Sequence, residues 1–325
     1  MKLKPFRYEV PKPGPHEVLI EVTDCGICHS DIHLIDDDWK MSVYPLVPGH
    51  EIVGHIKDAG SNVLHLKLGE RVGVGWQAGS CMNCEWCQKG LENLCSNSKA
   101  VCNENHGGFG SLVVCDSRFV IPIPAEFDSE NAAPLLCGGV TVYSPLKNHG
   151  VRPQDKIGVI GIGGLGHLAV QFASALGCEV TAFSSRPEKE KEAKSFGASH
   201  FVVRKNKKDI QALAHQFDFL LSTVSVDLDW PLYMDLLRPK GKLCIVGASP
   251  SDVKVPPFSL IVGDRSIAGS VIGSPSMIRE MLAFCIQHRI KPKTEVFDIR
   301  QVNHAIDKIR KNQIRYRAVL KHELT

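Results

Sequence analysis

The sequence predicts an α/β protein of two domains: an antiparallel, barrel-like β domain and a doubly wound parallel sheet. Three observations carry this. From Pro11 to about Pro134 the chain is strand-like, with short alternating apolar runs cut by Gly and Pro. From Asp155 onward strand and helix patterns alternate, the order of a parallel sheet with crossover helices. At the first turn of that second half stands Gly161-Ile162-Gly163-Gly164-Leu165-Gly166, the G-x-G-x-x-G spacing of a dinucleotide-binding turn.

In the first half, strand candidates fall at residues 17–22, 51–56, 71–75 and 111–115. In the second half they fall at 157–160, 180–183, 201–203, 217–221, 243–246 and 266–271. Helical runs separate the first five of these, and a Pro-rich crossover precedes the last. The run 157–160 reads as a buried strand. After the glycines, Leu168, Ala169, Phe172, Ala173 and Leu176 return at helical steps. Gly161 then allows the tight turn, Gly163 lets the backbone approach a pyrophosphate, and Gly166 lets helix and strand pack closely. Residues 277–325 read as two helical stretches and a final strand at 316–321.

Composition narrows the function. A net charge of +3 with scattered Lys and Arg lends no support to nucleic-acid binding. No apolar run approaches the roughly 20 residues needed to span a bilayer, and the opening residues Met1-Lys2-Leu3-Lys4-Pro5 lack the apolar core of a signal peptide. The expectation is a cytoplasmic protein. In that setting twelve cysteines point to metal rather than to disulfides.

Cys81, Cys84, Cys87 and Cys95 are separated by two, two and seven residues. Four thiolates so close together form a closed tetrahedral Zn²⁺ site of the structural type. The rival is an iron–sulfur cluster, whose bacterial spacing ends in three residues and then Pro; Cys95 is too distant, and Ser96 follows it. A second set is dispersed: Cys25, Cys28, His29, Asp31 and His33 in one motif, His50 and Glu51 in another, and Cys137 at the seam of the two halves. Singly, each Cys reads as a small buried residue and each His as a surface or capped one. Their placement around a dinucleotide turn favours a joint role.

With these residues in view the chain resembles the zinc-dependent medium-chain alcohol dehydrogenases, and within them the cinnamyl alcohol dehydrogenase-like branch. The resemblance rests on residues 25–31, 49–60 with Val63, the four-cysteine lobe, 133–137 with 141–145, 161–166 and 269–273. It implies a GroES-like catalytic domain (1–138 and 272–325) carrying a structural zinc lobe at about 79–97, around an inserted Rossmann domain (139–271). It implies two zinc ions, one structural and one catalytic on Cys28, His50 and Cys137, with Glu51 close to the metal. Cys2His with an open position is the standard alcohol dehydrogenase ligand set. Ser30 is then the proton donor, and His33 its link to solvent through the cofactor ribose. Asp31 hydrogen-bonds His50 and fixes its tautomer. The resemblance also places Thr141 and Val271 at the cofactor, with Gly164 and Leu165 in its loop and Arg317 near the pyrophosphate. Cys102, Cys115, Cys178, Cys244 and Cys285 are left as small packing residues.

The expected cofactor is NADP. The second strand of the parallel sheet ends in Ser184-Ser185-Arg186, followed by Lys189, with no carboxylate at its tip. Hydroxyls and cations there suit a ribose 2′-phosphate, which an acidic residue would repel. The expected substrate is an aldehyde or primary alcohol, with Trp39 and Trp76 as pocket walls, and the expected assembly is a homodimer. The connection from Cys95 to Gly107 is short for the family, which implies a wider cleft, and the chain starts late, which implies that an early strand is lacking. The rivals are a polyol or formaldehyde dehydrogenase of the same superfamily, and a non-catalytic zinc- and nucleotide-binding sensor.

Overall fold

The computed structural model describes residues 1–104, 106–249 and 251–322. The chain divides into two compact units, Met1–Val140 with Ile272–Thr325, and Thr141–Val271. The first unit opens with strands β1 (Glu17–Ile27), β2 (Glu51–Ala59), β3 (Arg71–Val74), β4 (Gln77–Gly79), β5 (Lys99–Ala100), β6 (Leu112–Asp116) and β7 (Ile121–Pro122). The second supplies β8 (Lys156–Ile160), β9 (Glu179–Ser184), β10 (His200–Val203), β11 (Phe217–Ser222), β12 (Leu237–Ile245) and β13 (Ser266–Gly269). The chain then returns to the first unit for β14 (Thr294–Asp298) and β15 (Arg317–Lys321).

β1 is the spine of the first unit. Val18, Ile20 and Val22 alternate into the core, the period of two that gives a strand one apolar face. The apolar pattern stops at Val22, but the strand continues to Ile27 because pairing carries it on: β2 runs antiparallel along one edge, β6 and then β15 along the other. Gly26 permits this, since a Cβ there would lie 2.0 Å from a Glu51 carboxylate oxygen on β2. The sheet order is β14-β15-β1-β2-β3-β7, with β6 on β1. It is antiparallel as expected except at one edge, where β14 pairs β15 in parallel. β14 was not anticipated between the two C-terminal helices (Pro275–His288 and Val302–Arg310). Its five residues are half-buried or exposed, so it has no clean alternation to read. Residues 1–14 form neither helix nor strand.

The core of this unit has two parts. Val18, Ile20, Ile52, Ile56, Val72, Val74 and Val113 pack between the strands. Ile27, Ile32, Ile35, Ile306, Ile309 and Leu320 join the helix His29–Asp36 and the helix Val302–Arg310 to β15. Burying such apolar area is the main stabilising contribution, and it anchors the two ends of the chain that carry Cys28 and Arg317.

The second unit is a six-stranded parallel sheet in the order β10-β9-β8-β11-β12-β13. Counted from its own first strand this is 3-2-1-4-5-6, the doubly wound dinucleotide-binding order. Five of its six expected strands fall within a residue or two of prediction. β12 is the correction: it begins at Leu237, before a break in register with β11 at Phe217–Phe219, and resumes at Lys242. Pro239 and Gly241 in that stretch hid its first half from the apolar pattern.

Candidate functional site

The described residues hold two groups of metal-ligating side chains that the sequence reading anticipated. In the first, Cys81, Cys84, Cys87 and Cys95 bring their sulfurs within 4.8 Å of one another. The closest pairs, Cys84–Cys87 and Cys95–Cys81, are 3.5 Å apart, and Cys81–Cys87 is 3.9 Å. A tetrahedral ion with metal–sulfur bonds of about 2.3 Å separates its sulfurs by about 3.8 Å, so the cluster matches zinc in size as well as in chemistry. The backbone N–H groups of Asn83 and Cys84 pull the Cys81 thiol down to about 6, which favours the thiolate that a metal requires.

In the second group Cys28, His50, Glu51 and Cys137 also lie within 4.8 Å of one another, all buried. Each arrives on a different element. Cys28 caps the helix His29–Asp36, His50 immediately precedes β2 and Glu51 opens it, and Cys137 ends the short 3₁₀ turn Ala133–Leu136. Asp31 organises them. Its Oδ2 accepts from the Cys28 N–H at 2.8 Å, and its Oδ1 accepts from the Gly49 N–H at 2.9 Å and from His50 Nδ1 at 2.8 Å. His50 Nε2 is left buried with no hydrogen-bond partner. A buried nitrogen facing two thiols calls for a metal rather than a proton donor. Cys28 and Cys137 share this buried cluster, and their interaction holds the Cys28 thiol well below its usual range and Cys137 well above.

Glu51 pairs with the buried Arg317 of β15 through one carboxylate oxygen and leaves the other unpartnered. Burial pushes Glu51 up to about 7, against the opposing charge of Arg317. Arg317, expected near the pyrophosphate, is thus engaged at the Cys28–His50–Cys137 cluster. Ser30 Oγ stands 3.8 Å from Cys28 Sγ. His33 Nδ1 bonds Asp38 at 2.7 Å, a partner the sequence reading missed because Asp38 lies past the helix end. Trp39 stacks on His33 with centroids 5.0 Å apart, meets Trp76 edge-on at 6.2 Å, and Trp76 meets His50 at 5.0 Å. The two tryptophans therefore join the half-exposed His33 to the buried His50. Cys102 is buried as expected, but it is more than packing: its sulfur lies within 4.8 Å of Asp31 and His50. No spacing signal pointed to it.

In the second unit the glycine loop has the shape its spacing implied. Gly161 adopts φ +95°, a Cβ on Gly163 would meet nothing within 4 Å, and a Cβ on Gly166 would lie 1.7 Å from the Gly161 carbonyl. The loop is thus tight at both ends and open in the middle, a cradle that fits a diphosphate. Gly164 and Leu165 lead directly into the helix Gly166–Ala175. Lys189 donates to the Ile162 carbonyl, which places the cation at this loop. Ser184 is buried, and its hydroxyl exchanges hydrogen bonds with the Arg186 main chain at 3.1 and 3.3 Å. Ser185 is exposed beside it and Arg186 half-buried. Thr141 is buried at the start of this unit and Val271 exposed at its end.

A four-thiolate lobe, a buried Cys2His cluster and a nucleotide-type glycine loop define the class of zinc-binding dehydrogenases. Comparison with known proteins agrees. Residues 14–125 match the alcohol dehydrogenase GroES-like domain and residues 164–287 the zinc-binding dehydrogenase domain. The chain is 44% identical to an aldehyde reductase (AdhA) of Synechocystis sp., over 99% of this chain and 96% of that one. Among solved structures it superposes on a cinnamyl alcohol dehydrogenase (SbCAD4) of Sorghum bicolor with a TM-score of 0.95, at 38% identity over 98% of this chain and 94% of that one. It superposes on a Helicobacter pylori cinnamyl alcohol dehydrogenase complexed with NADP(H) with a TM-score of 0.88, at 37% identity over 95% and 91%. The chain belongs to the zinc-dependent medium-chain alcohol dehydrogenases, in their cinnamyl alcohol dehydrogenase-like branch.

Asp31 supplies the first test. Asp31→Asn keeps the shape but replaces an acceptor oxygen with an NH2 group, so at least one of the three N–H donors loses its partner. We expect a loss on the order of 1–3 kcal/mol. It is read as a lower denaturation midpoint in tryptophan fluorescence, to which Trp39, Trp76 and Trp86 of the same unit contribute. An unchanged midpoint would contradict the organising role.

Proposed function

We propose that this enzyme is an NADP-linked aldehyde reductase acting reversibly on aldehydes and primary alcohols with apolar, aromatic-compatible tails. The observation that carries the reading is His50 Nε2, buried and unpartnered among Cys28, Cys137 and Glu51. Cys28, His50 and Cys137 hold a catalytic zinc, and Cys81, Cys84, Cys87 and Cys95 hold a second, structural one. When bound, zinc supplies a Lewis acid for the substrate oxygen and reduced nicotinamide supplies the hydride.

The protein's own residues do the rest. Asp31 holds the His50 Nδ1 proton, which directs the Nε2 lone pair to the metal. Glu51, tied to Arg317, keeps a carboxylate oxygen beside the cluster for ligand exchange. Ser30, next to Cys28, delivers the proton that the carbonyl oxygen needs once hydride has added to the carbon, giving the alcohol. His33 restores that proton from solvent. Asp38, 2.7 Å from Nδ1, orients the imidazole and leaves Nε2 to exchange the proton. Trp39 and Trp76 form an apolar wall leading to His50. In the second unit Gly161 to Gly166 take the diphosphate, while Ser185, Arg186 and Lys189 surround the 2′-phosphate. Ser184 acts indirectly there, by fixing the Arg186 main chain.

A homodimer fits the surface of the second unit. β13 is an edge strand, and the neighbouring Phe258, Ile261 and Val262 are 74%, 67% and 65% exposed. An open edge beside an apolar patch is covered most simply by a second copy, pairing β13 with β13. A cytoplasmic location is supported by the twelve free cysteines. No helix among the described residues is long and apolar enough to cross a membrane.

Metal analysis tests the two-zinc assignment. Wild type is expected to hold two zinc ions per chain, and Cys137→Ala one, with most NADPH-dependent aldehyde turnover lost. Cys84→Ser is expected to fold poorly instead, since a closed structural site couples metal to folding. Full turnover in Cys137→Ala sinks the catalytic assignment.

Cofactor choice gives a separate outcome. Ser185→Asp puts a carboxylate at the exposed tip of β9, and the preference for NADPH over NADH is expected to fall about tenfold or more. A wild type that prefers NADH overturns this.

Light scattering checks the assembly. Ile261→Asp is expected to convert a dimer into a monomer, and a wild type already monomeric removes the proposal.

A further inference from the structure

His167 has no part in the roles assigned so far. It is fully buried as the second residue of the helix Gly166–Ala175. Its ring folds back on the glycine loop, with Nδ1 3.0 Å from the Gly163 carbonyl, and its backbone N–H donates to the same oxygen at 3.1 Å. A carbonyl only accepts, so Nδ1 carries the hydrogen. The ring is also packed edge-on against Phe196 at 5.6 Å, at the end of the helix Glu190–Ser195 that follows Lys189.

The consequence lies in the peptide between Gly163 and Gly164. A trans peptide points its C=O and its N–H in opposite directions. Holding the Gly163 carbonyl back toward the helix therefore turns the Gly164 N–H outward, on the loop whose middle is open, with nothing within 4 Å of a Gly163 Cβ. A peptide flanked by two glycines flips at little steric cost, so its orientation needs a brace. The backbone bond is one. The imidazole is a second, and it is stiffened by Phe196.

We propose that His167 is a positioning residue for the nucleotide diphosphate: it locks the 163–164 peptide so that the Gly164 N–H is presented to the phosphate oxygens. This rests on the nucleotide reading of the loop. It adds a residue outside the glycine pattern, and it ties the diphosphate cradle to the helix that starts beside the 2′-phosphate residues.

The test uses the full-length, zinc-loaded protein and two probes, NADPH and adenosine 2′-monophosphate, which has no diphosphate. His167→Leu fills the space without a donor, whereas His167→Asn places an amide N–H near the position of Nδ1. The Leu variant is expected to bind NADPH about five- to tenfold more weakly, the effect of one lost hydrogen bond. Its affinity for adenosine 2′-monophosphate should stay within about twofold and its zinc content should be unchanged, and the Asn variant should bind NADPH within about twofold of wild type. Should the Leu variant not fold, His167→Phe, close to the imidazole in size and without a donor, takes its place. Unaltered NADPH binding without the donor overturns the proposal, as does an equal loss for both probes or failure of the Asn variant to rescue. Wild type that binds neither probe overturns the nucleotide reading itself, an outcome distinct from the others.

Discussion

The buried carboxylate of Asp31 is the interaction on which the first unit's chemistry depends. A fully buried charge is costly unless several donors surround it, and Asp31 has three. Those donors belong to the start of the helix His29–Asp36 and to the turn entering β2. One carboxylate thus locks together two segments that are remote in the chain, and it sets the ring of His50 in the same act. Cys28 and His50 face each other because both are pinned to the same oxygen pair. Around this centre the protein tolerates further electrostatic tension, with Glu51 pushed up to about 7 by burial and Arg317 buried to meet it. Such perturbed groups collect where chemistry is done.

The two thiol-rich groups show opposite ways of building a metal site. The lobe is local: its four cysteines lie within one loop, Cys81 and Cys84 are half-buried, and the nearby backbone N–H groups prepare the Cys81 thiolate. The Cys28–His50–Cys137 group is dispersed, wholly buried and backed by Asp31 and Cys102. It depends on the packing of Ile27, Ile32 and Leu320 against the C-terminal helix and strand. The first kind of site stabilises its surroundings, and the second kind is stabilised by them.

In the second unit the glycine loop is shaped by its backbone. It owes its shape to what glycine lacks. Gly166 lets the helix close on the Gly161 carbonyl, and Gly163 leaves room for a ligand. Side chains then fix what the glycines leave loose, with Thr223 bonding the Ile160 and Gly161 carbonyls at 3.0 and 2.9 Å and Lys189 reaching the Ile162 carbonyl. The same economy governs Ser184, whose hydroxyl serves its own turn, while Ser185 beside it is exposed.

What the sequence by itself determined is whatever short-range pattern encodes. The four-cysteine spacing, the glycine turn between an apolar strand and a helical run, and the alternation of β8 to β11 with helices were all legible, because each depends on neighbours a few residues apart. What only the tertiary structure decided depends on pairing and packing across the chain. β14 has no apolar face and exists because β15 pairs with it, and the first half of β12 is hidden behind Pro239 and Gly241. Asp38 and Cys102 carry no motif and gain their meaning from the imidazoles they meet. The buried group Cys28, His50 and Cys137 stands between these cases. Its residue types were visible and its family likeness named them, but their convergence belongs to the fold: a buried carboxylate ties the segments of Cys28 and His50 together, and packing brings the turn that ends in Cys137 to them.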